Sequence, residues 1–197
     1  MYKYLFLVFI LNIYLNLDNS NQKLEEAYFA SGCFWCVESI YENLKGVIDV
    51  ESGYSGGKTL NPTYYQVMTE KTGHAEAIKV LYDPQIIDFE TLVKVFFGSH
   101  DPSTLNRQGP DKGTQYRSIA FFKTNNEKKI IEKEVKRLIE NKTYKKITTE
   151  ILAFEKFYKA EEYHQDYKKN NPNDIYILRV SNPRISKFKM DFKDIIK

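Results

Sequence analysis

The sequence predicts an α+β fold, a two-layer sandwich in which helices pack on one mainly antiparallel mixed sheet. From Glu26 onward, short apolar segments typical of strands alternate with amphipathic segments typical of helices, without internal repeats or low-complexity linkers. The chain has 197 residues, of which 42% are hydrophobic, so it can bury one core of ordinary size. We therefore expect one folded domain at residues 23–170, followed by a basic C-terminal tail at residues 171–197.

The predicted strands are short apolar or alternating runs, at residues 28–30, 47–54, 74–82, 118–122 and 147–154. The first predicted helix covers residues 34–44 and ends near Gly46, and the second covers residues 89–97. A third helix is expected after Thr124, because Thr124 and Glu127 form a capping-box pattern. Its apolar face consists of Ile130, Ile131, Val135, Leu138 and Ile139. Glycine and proline predict a loop at residues 55–63.

Residues 1–22 have a different character from the rest of the chain. Lys3 precedes an apolar run that Asn12 and Asn16 interrupt, which resembles the hydrophobic region of a secretory signal peptide. The run is too short and too interrupted for a comfortable membrane span. We expect an exported protein that is periplasmic, secreted or tethered by an uncleaved N-terminal anchor; the alternative is a cytoplasmic protein with an N-terminal core helix.

The formal net charge of +3 is concentrated at the C-terminal end, where residues 168–197 carry eight Lys or Arg and three Asp. The fifteen tyrosines and thirteen phenylalanines are scattered through predicted strands and are not interleaved with a basic stripe. This distribution argues against nucleic-acid binding.

Both cysteines of the chain, Cys33 and Cys36, lie with its only tryptophan at the predicted junction of a strand and a helix. Cys33 would lie beside the unpaired N–H groups and the positive dipole of the helix N-terminus. That setting favours thiolate over thiol, so Cys33 is the candidate nucleophile.

Other interpretations of the cysteine pair remain open. A metal site is disfavoured because His74, His100 and His164 are widely separated and lack the usual ligand spacing. A thioredoxin-type redox pair is a stronger rival, since Cys-x-x-Cys near a strand and a helix is its usual sign. Against that rival, Phe34 and Trp35 add a large apolar surface that suggests a pocket for a small apolar group. The weakest alternative is a non-catalytic exported binding domain.

Glu76 is the second candidate site residue. In a strand at residues 74–82, its side chain lies on the same face as Ile78, Val80 and Tyr82. Burial there would raise the pKa of the carboxyl, so that Glu76 could hold a proton near neutral pH and act as a general acid. A solvent-facing strand end or a structural ion pair would explain the pattern equally well.

Residues 99–117 form a long polar segment that is either a substrate-facing loop or a plain surface connection. His100, within it, and His164 are expected to be structural hydrogen-bonding groups.

Several ordered motifs resemble those of the peptide methionine sulfoxide reductase A family. They are Gly32-Cys33-Phe34-Trp35-Cys36-Val37-Glu38, Gly53-Tyr54-Ser55-Gly56-Gly57, Asn61-Pro62-Thr63-Tyr64, Gly73-His74-Ala75-Glu76, His100-Asp101-Pro102 and Gln108 to Ser118. A later motif, Phe157 to Tyr167, is also similar. The resemblance covers residues 26–167 and leaves out the first 25 and last 30 residues.

The resemblance implies a ferredoxin-like sandwich and an oxidoreductase that repairs oxidised methionine, free or in proteins, with no bound metal or organic cofactor. It implies that Cys33 attacks the sulfur of a methionine S-sulfoxide and becomes a sulfenic acid, while Glu76 protonates the oxygen. The remaining implied roles are hydrogen bonding to that oxygen by Tyr64 and Tyr116, an apolar wall made by Phe34 and Trp35, and substrate binding by Asp111.

Regeneration departs from the better-known members, which often end in a Gly-rich tail with resolving cysteines. Here the tail is Lys-rich and has no cysteine, so Cys36 is the only internal candidate to resolve the Cys33 sulfenic acid. Alternatively, Cys36 is a small buried residue and an external thiol such as thioredoxin, glutaredoxin or glutathione resolves Cys33 directly. We expect a monomer.

Overall fold

The computed structural model describes residues 23–197, which form one six-stranded sheet covered on one face by helices. The expected leader at residues 1–22 lies outside the described residues. The strands of the sheet are β1 (Glu25–Ser31), β2 (Val47–Ser55), β3 (Ala75–Tyr82), β6 (Ser118–Phe122), β7 (Glu150–Ala153) and β8 (Phe157–Lys159). A separate two-stranded hairpin is formed by β4 (Arg107–Gln108) and β5 (Asp111–Lys112).

The sheet has the order β7-β6-β1-β3-β2-β8. All neighbouring strands are antiparallel except the β6–β7 pair, which is parallel. The predicted α+β sandwich with a mainly antiparallel mixed sheet is therefore confirmed. Within residues 23–197, no helix combines the length and the apolar character needed to cross a membrane.

The helices are α1 (Phe34–Glu42), α2 (Tyr64–Met68), α3 (Phe89–Gly98), α4 (Asn125–Glu140), α5 (Tyr167–Asn170) and α6 (Asn182–Asp191). As predicted, Thr124 caps α4 by accepting a hydrogen bond from the backbone N–H of Glu127. The predicted apolar face of α4 is buried at Ile131 and Leu138, whereas Ile139 at its edge is exposed.

Alternation along β1 divides the apolar side chains between the two faces of the sheet. Ala27 and Phe29 pack with the helices in the main core, whereas Tyr28 and Ala30 belong to a smaller cluster. In that smaller cluster, the Tyr28 ring stacks on Phe154 with 3.7 Å between the ring centroids.

The C-terminal segment, which the sequence suggested as a tail, is folded against the domain. A π-helical turn at Ile177–Ser181 leads directly into α6. Ile177, Ile185 and Phe188 are buried, and both Ile185 and Phe188 belong to the main core. Burying these side chains stabilises the fold, by about 1.5–3 kcal/mol for each large apolar side chain. Residues 171–197 therefore complete the core that we expected to end near residue 170.

Candidate active site

Gly32 and Cys33 form the turn between β1 and α1. Gly32 has φ +86°, a left-handed conformation that suits glycine, and a Cβ there would come within 2.5 Å of the Gln108 side chain. Cys33 is the N-cap residue of α1, and its side chain makes no capping hydrogen bond. Any larger residue at position 32 would therefore collide with Gln108, directly before the Cys33 thiol at the start of the helix.

The Glu76 carboxyl lies beside this helix start. Glu76 is only 2% exposed on β3, and its Oε2 atom accepts a hydrogen bond of 3.0 Å from the backbone N–H of Phe34. Burial raises the pKa of Glu76 to about 8 against the opposing effect of that hydrogen bond. The predicted burial of the Glu76 side chain is confirmed.

Cys33 and Cys36 are both buried free cysteines, and each thiol shifts the pKa of the other. Burial raises the pKa of the Cys33 thiol well above its usual value, and the neighbouring Cys36 and Glu76 add to the rise. The expectation that the helix N-terminus favours a Cys33 thiolate is therefore not met in the free protein. Loss of hydration and nearby negative charge outweigh the partial positive charge of the helix end.

The negative charge is favoured on Cys36 instead. The neighbouring Cys33 thiol, the Arg184 guanidinium and the Ser181 hydroxyl together lower the pKa of Cys36 to about 6, although burial opposes them. The Cys36 Sγ and Ser181 Oγ atoms are 2.9 Å apart.

Tyr64 and Tyr116 approach the same centre from two short helices. Tyr64 begins α2, where Thr63 and Gln66 form a complete capping box, and Tyr116 ends a 3-10 turn at Thr114–Tyr116. Burial and the nearby Glu76 carboxylate raise the pKa of Tyr64 to about 12, and the same causes raise the pKa of Tyr116. Both hydroxyls therefore keep their protons at neutral pH and can donate hydrogen bonds.

Phe34 and Trp35 supply the apolar wall. Phe34 is buried, whereas Trp35 is half-buried and stacks on Tyr167 with 3.7 Å between ring centroids. The Trp35 indole N–H donates to His164 Nδ1 at 3.1 Å, so the neutral His164 ring carries its proton on Nε2. The ring contacts and this hydrogen bond together fix the orientation of Trp35.

Asp111 lies on β5, at the edge of the site. Its Oδ2 atom accepts a hydrogen bond of 2.6 Å from the Tyr176 hydroxyl, and burial raises the pKa of its carboxyl. Asp111 and Tyr176 also line a cavity of about 930 Å³ that extends between the residue 98–111 segment and α6.

Sequence reasoning missed several residues that support the site, namely Glu161, Tyr176, Ser181 and Arg184. Glu161 accepts hydrogen bonds from the Tyr54 hydroxyl at 2.8 Å and from the Tyr64 backbone N–H at 2.9 Å. The other three lie in the segment that was expected to be a tail. Residues 177, 181, 184 and 188 follow a helical spacing, and this signal could have placed Ser181 and Arg184 on one face with Ile177.

His100 has the structural role that was expected. Its Nδ1 atom is 2.6 Å from the Phe96 carbonyl oxygen and its Nε2 atom is 2.7 Å from Ser118 Oγ. Burial lowers the pKa of His100 to about 3, so the ring stays neutral. Among the described residues, no group of three or more His, Cys, Asp or Glu side chains is arranged to hold a metal ion.

The family model described as peptide methionine sulfoxide reductase matches residues 25–195. The chain is 46% identical over 171 residues to peptide methionine sulfoxide reductase MsrA of Sulfolobus acidocaldarius, an alignment that covers 87% of this chain and 97% of the relative. Because the family match reaches residue 195, it extends the resemblance well beyond Tyr167.

Solved structures of the yeast protein Mxr1 have a similar fold. The crystal structure of Mxr1 from Saccharomyces cerevisiae in reduced form is 36% identical with a TM-score of 0.73, covering 77% of this chain and 88% of Mxr1. The structure of Mxr1 in complex with Trx2 is 28% identical with a TM-score of 0.53, covering 74% of this chain and 85% of Mxr1. The chain therefore belongs to the peptide methionine sulfoxide reductase family, whose members reduce methionine sulfoxide at the expense of thiols.

Proposed function

We propose that Cys33 is the nucleophile and Glu76 the general acid of this methionine sulfoxide reductase. The observation that carries the proposal is the buried Glu76 carboxyl, which accepts the Phe34 N–H directly after Cys33 and holds its proton up to about pH 8. A proton donor thus contacts the residue directly after the nucleophilic sulfur and acts electrostatically on that sulfur, as reduction of a sulfoxide requires.

In the net reaction, the substrate loses one oxygen atom and Cys33 gains one. The Cys33 sulfur attacks the sulfoxide sulfur while Glu76 protonates the oxygen, and the proton released from Cys33 restores the Glu76 carboxyl. The S–O bond of the substrate then breaks, and the oxygen leaves as water after Glu76 supplies a second proton. Water attacks the Cys33 sulfur, breaks its bond to the substrate sulfur and returns a proton to Glu76, which leaves methionine and a sulfenic acid on Cys33. The substrate sulfur gains two electrons and the Cys33 sulfur loses two. Tyr64 and Tyr116 donate hydrogen bonds to the oxygen as negative charge develops on it.

We infer that the substrate is methionine S-sulfoxide, free or in oxidised proteins, which makes the reaction a repair of oxidative damage. Phe34 and Trp35 would contact its methyl group. Asp111 would bind the rest of the substrate, and the adjacent cavity of about 930 Å³ has room for residues that flank the methionine.

We propose that Cys36 resolves the sulfenic acid as a Cys33–Cys36 disulfide, which an external thiol protein such as thioredoxin or glutaredoxin then reduces. The mutual influence of the two thiols and the lowered pKa of Cys36 support this route. The complex of the related Mxr1 with Trx2 supports thioredoxin as the reductant. Direct attack of an external thiol on Cys33 is the second candidate, favoured by the buried position of Cys36.

The first experiment measures consumption of separate methionine S- and R-sulfoxides with dithiothreitol. We expect loss of the S form alone, and we expect Cys33→Ser to abolish it. Cys36→Ser retains turnover, because dithiothreitol replaces a resolving thiol, but loses turnover with thioredoxin. Reduction of neither isomer by folded protein would contradict the assignment and favour the general thiol-disulfide oxidoreductase.

We further propose that the protein is an exported monomer with a ferredoxin-like core. The apolar run within residues 1–22 supports export, and the order β6-β1-β3-β2 of the four central antiparallel strands supports the ferredoxin-like core. Fractionation of cells and the mass of the purified protein test export, since cleavage near residue 22 shortens the chain. Light scattering tests the monomeric state.

A further inference from the structure

Cys36 contacts the C-terminal segment of the chain. Its Sγ atom lies 2.9 Å from Ser181 Oγ, and the Ser181 side chain is completely buried. A buried hydroxyl in this position can donate a hydrogen bond to a thiolate, which neutral surroundings would otherwise destabilise.

Arg184 adds a positive charge next to this contact. Its Nε atom donates to the Ser99 carbonyl oxygen at 2.8 Å and its Nη2 atom donates to the Ser31 carbonyl oxygen at 3.0 Å. Both acceptors are neutral, and within residues 23–197 no carboxylate forms an ion pair with Arg184. The charge of Arg184 lowers the pKa of Cys36 and also acts on the Asp111 carboxyl.

The backbone of this segment accounts for the position of Ser181. Ser181 ends the π-helical turn that begins at Ile177, and Arg184 follows in the first turn of α6. Ile177 and Ile185 are buried and hold the turn against the domain. Wide π-helical turns often occur at functional sites because they redirect individual side chains.

We propose that Ser181 and Arg184 are positioning residues that hold Cys36 as a thiolate, ready to attack the Cys33 sulfenic acid. In that step the Cys36 sulfur forms a bond to the Cys33 sulfur, the S–O bond of the sulfenic acid breaks, and the hydroxyl leaves as water after taking up a proton. The inference rests on the proposed role of Cys36. It assigns to the cysteine-free C-terminal segment a role in making the internal thiol reactive.

Other titratable groups also act on Cys36. The Cys33 thiol at the start of α1 lowers the pKa of Cys36, and a charge on Cys36 raises the pKa of Glu76 on β3. The same charge acts on Tyr176 in the C-terminal segment, whose hydroxyl donates its proton to Asp111. Because the Cys33 thiol is oxidised to a sulfenic acid during turnover, its effect on Cys36 changes. The contribution of Ser181 is therefore best measured in a protein in which Cys33 is replaced by serine.

The first test follows the thiolate absorbance of Cys36 near 240 nm as a function of pH. It compares Cys33→Ser with Cys33→Ser/Ser181→Ala and subtracts the spectrum of Cys33→Ser/Cys36→Ser. We expect loss of the Ser181 hydroxyl to raise the midpoint by about one pH unit or more, and Arg184→Met to raise it further. Unchanged midpoints in both variants would overturn the proposal. This readout does not require any catalytic activity.

The second test measures a single turnover with one equivalent of methionine sulfoxide and no reductant. The measurement is made near pH 5, below the Cys36 midpoint, where a midpoint one unit higher leaves about a tenth of the thiolate. In Ser181→Ala we expect methionine release at the wild-type rate, about tenfold slower disulfide formation, and an accumulated sulfenic acid that dimedone traps. The matched control is Ser39→Ala, which removes a different buried serine hydroxyl, one that lies in α1. This variant should behave as wild type.

Three outcomes are distinguished by these measurements. Disulfide formation at the normal rate in folded Ser181→Ala, with an unchanged pH midpoint, contradicts the role of Ser181 while leaving Cys36 as the resolving thiol. Absence of a Cys33–Cys36 disulfide in wild type contradicts the resolving role of Cys36 and, with it, the role given to Ser181. Absence of methionine release contradicts the catalytic assignment itself.

Discussion

The Glu76 carboxyl on β3 accepts the backbone N–H of Phe34, the first residue of α1, at 3.0 Å. Forty-two positions separate the two residues in the sequence. The contact satisfies one of the unpaired N–H groups at the helix start, and it brings an acid next to Cys33. This single hydrogen bond therefore both stabilises the start of α1 and positions the acid of the site.

Replacement of Glu76 by Gln tests the acid directly. Gln preserves the size of the side chain and can still accept the Phe34 N–H, but it has no acidic proton. We expect sulfoxide reduction to fall by at least about 100-fold, while simple thiol-disulfide exchange by the cysteine pair is spared. Equal loss in both reactions, or no loss in either, would count against the assignment.

The rate of sulfoxide reduction also has a predictable dependence on pH. Because burial raises the pKa of Glu76 to about 8, the protonated acid is present below that pH and is lost above it. We expect the first-step rate in single-turnover experiments to decrease as the pH rises through about 8. Glu38 is the matched control, since burial also raises its pKa to about 8. Glu38→Gln should keep the alkaline decrease, and its disappearance would show that the wrong carboxyl had been assigned.

The raised pKa of Glu38 predicts how the stability of the protein changes with pH. Its carboxyl is buried in α1 and accepts the backbone N–H of Asp166 at 3.3 Å. Between about pH 4.5, the ordinary pKa, and about pH 8, the folded chain holds a proton that the unfolded chain has lost. The stabilising contribution of the proton is complete below about pH 4.5 and disappears as the pH rises to about 8, at no more than about 1.4 kcal/mol per pH unit.

Urea unfolding of wild type and Glu38→Gln at several pH values measures this effect. We expect the free energy of unfolding of wild type to fall across that range and the fall to be smaller in Glu38→Gln. Parallel curves for the two proteins would contradict the raised pKa of Glu38.

The elements that the sequence predicted are those with a clear hydrophobic period. The strand at residues 74–82 and the helix after Thr124 were located to within a residue or two, because alternation and capping are local properties. Helix α2 has five residues and β8 has three, which is too short for a period to be recognised.

The same distinction applies to the site. Glu76 was predicted because a charged residue interrupts an apolar strand face, a signal contained within its own strand. The contact between Cys36 and Ser181 joins residues 145 positions apart, and only the folded chain brings them together. Local patterns thus identify reactive groups, whereas tertiary packing decides which of two thiols carries the charge.

Glu161 provides a test of how Tyr64 is held. Its two carboxyl oxygens accept the Tyr54 hydroxyl and the Tyr64 backbone N–H, so it fixes the start of α2. In Glu161→Ala we expect kcat to fall about tenfold, because the donor to the sulfoxide oxygen is displaced. The free energy of unfolding should also fall by about 1–3 kcal/mol, because the buried Tyr54 hydroxyl loses its acceptor. The neighbouring Glu162→Ala removes only an exposed ion pair with Lys159 and should retain full activity. If part of the Glu161→Ala protein fails to fold but the folded fraction has the wild-type kcat, the positioning role of Glu161 is contradicted.

Two substitutions of His164 separate the hydrogen bond to Trp35 from the ring packing around it. The His164 ring packs against Phe34 and Tyr64, with centroid distances of 5.0 and 4.5 Å, and its Nδ1 atom accepts the indole N–H. His164→Phe keeps a ring but leaves the indole N–H without its acceptor, whereas His164→Asn keeps an acceptor near the Nδ1 position. If the hydrogen bond fixes the apolar wall, we expect KM for methionine sulfoxide to rise about tenfold in His164→Phe and to change little in His164→Asn, with kcat nearly constant in both.

The opposite result, a raised KM in His164→Asn and an unchanged KM in His164→Phe, would show that ring packing, and not the hydrogen bond, orients Trp35. Steady-state kinetics at saturating dithiothreitol distinguish the two results, and the fluorescence of Trp35, the only tryptophan of the chain, reports its environment independently of turnover.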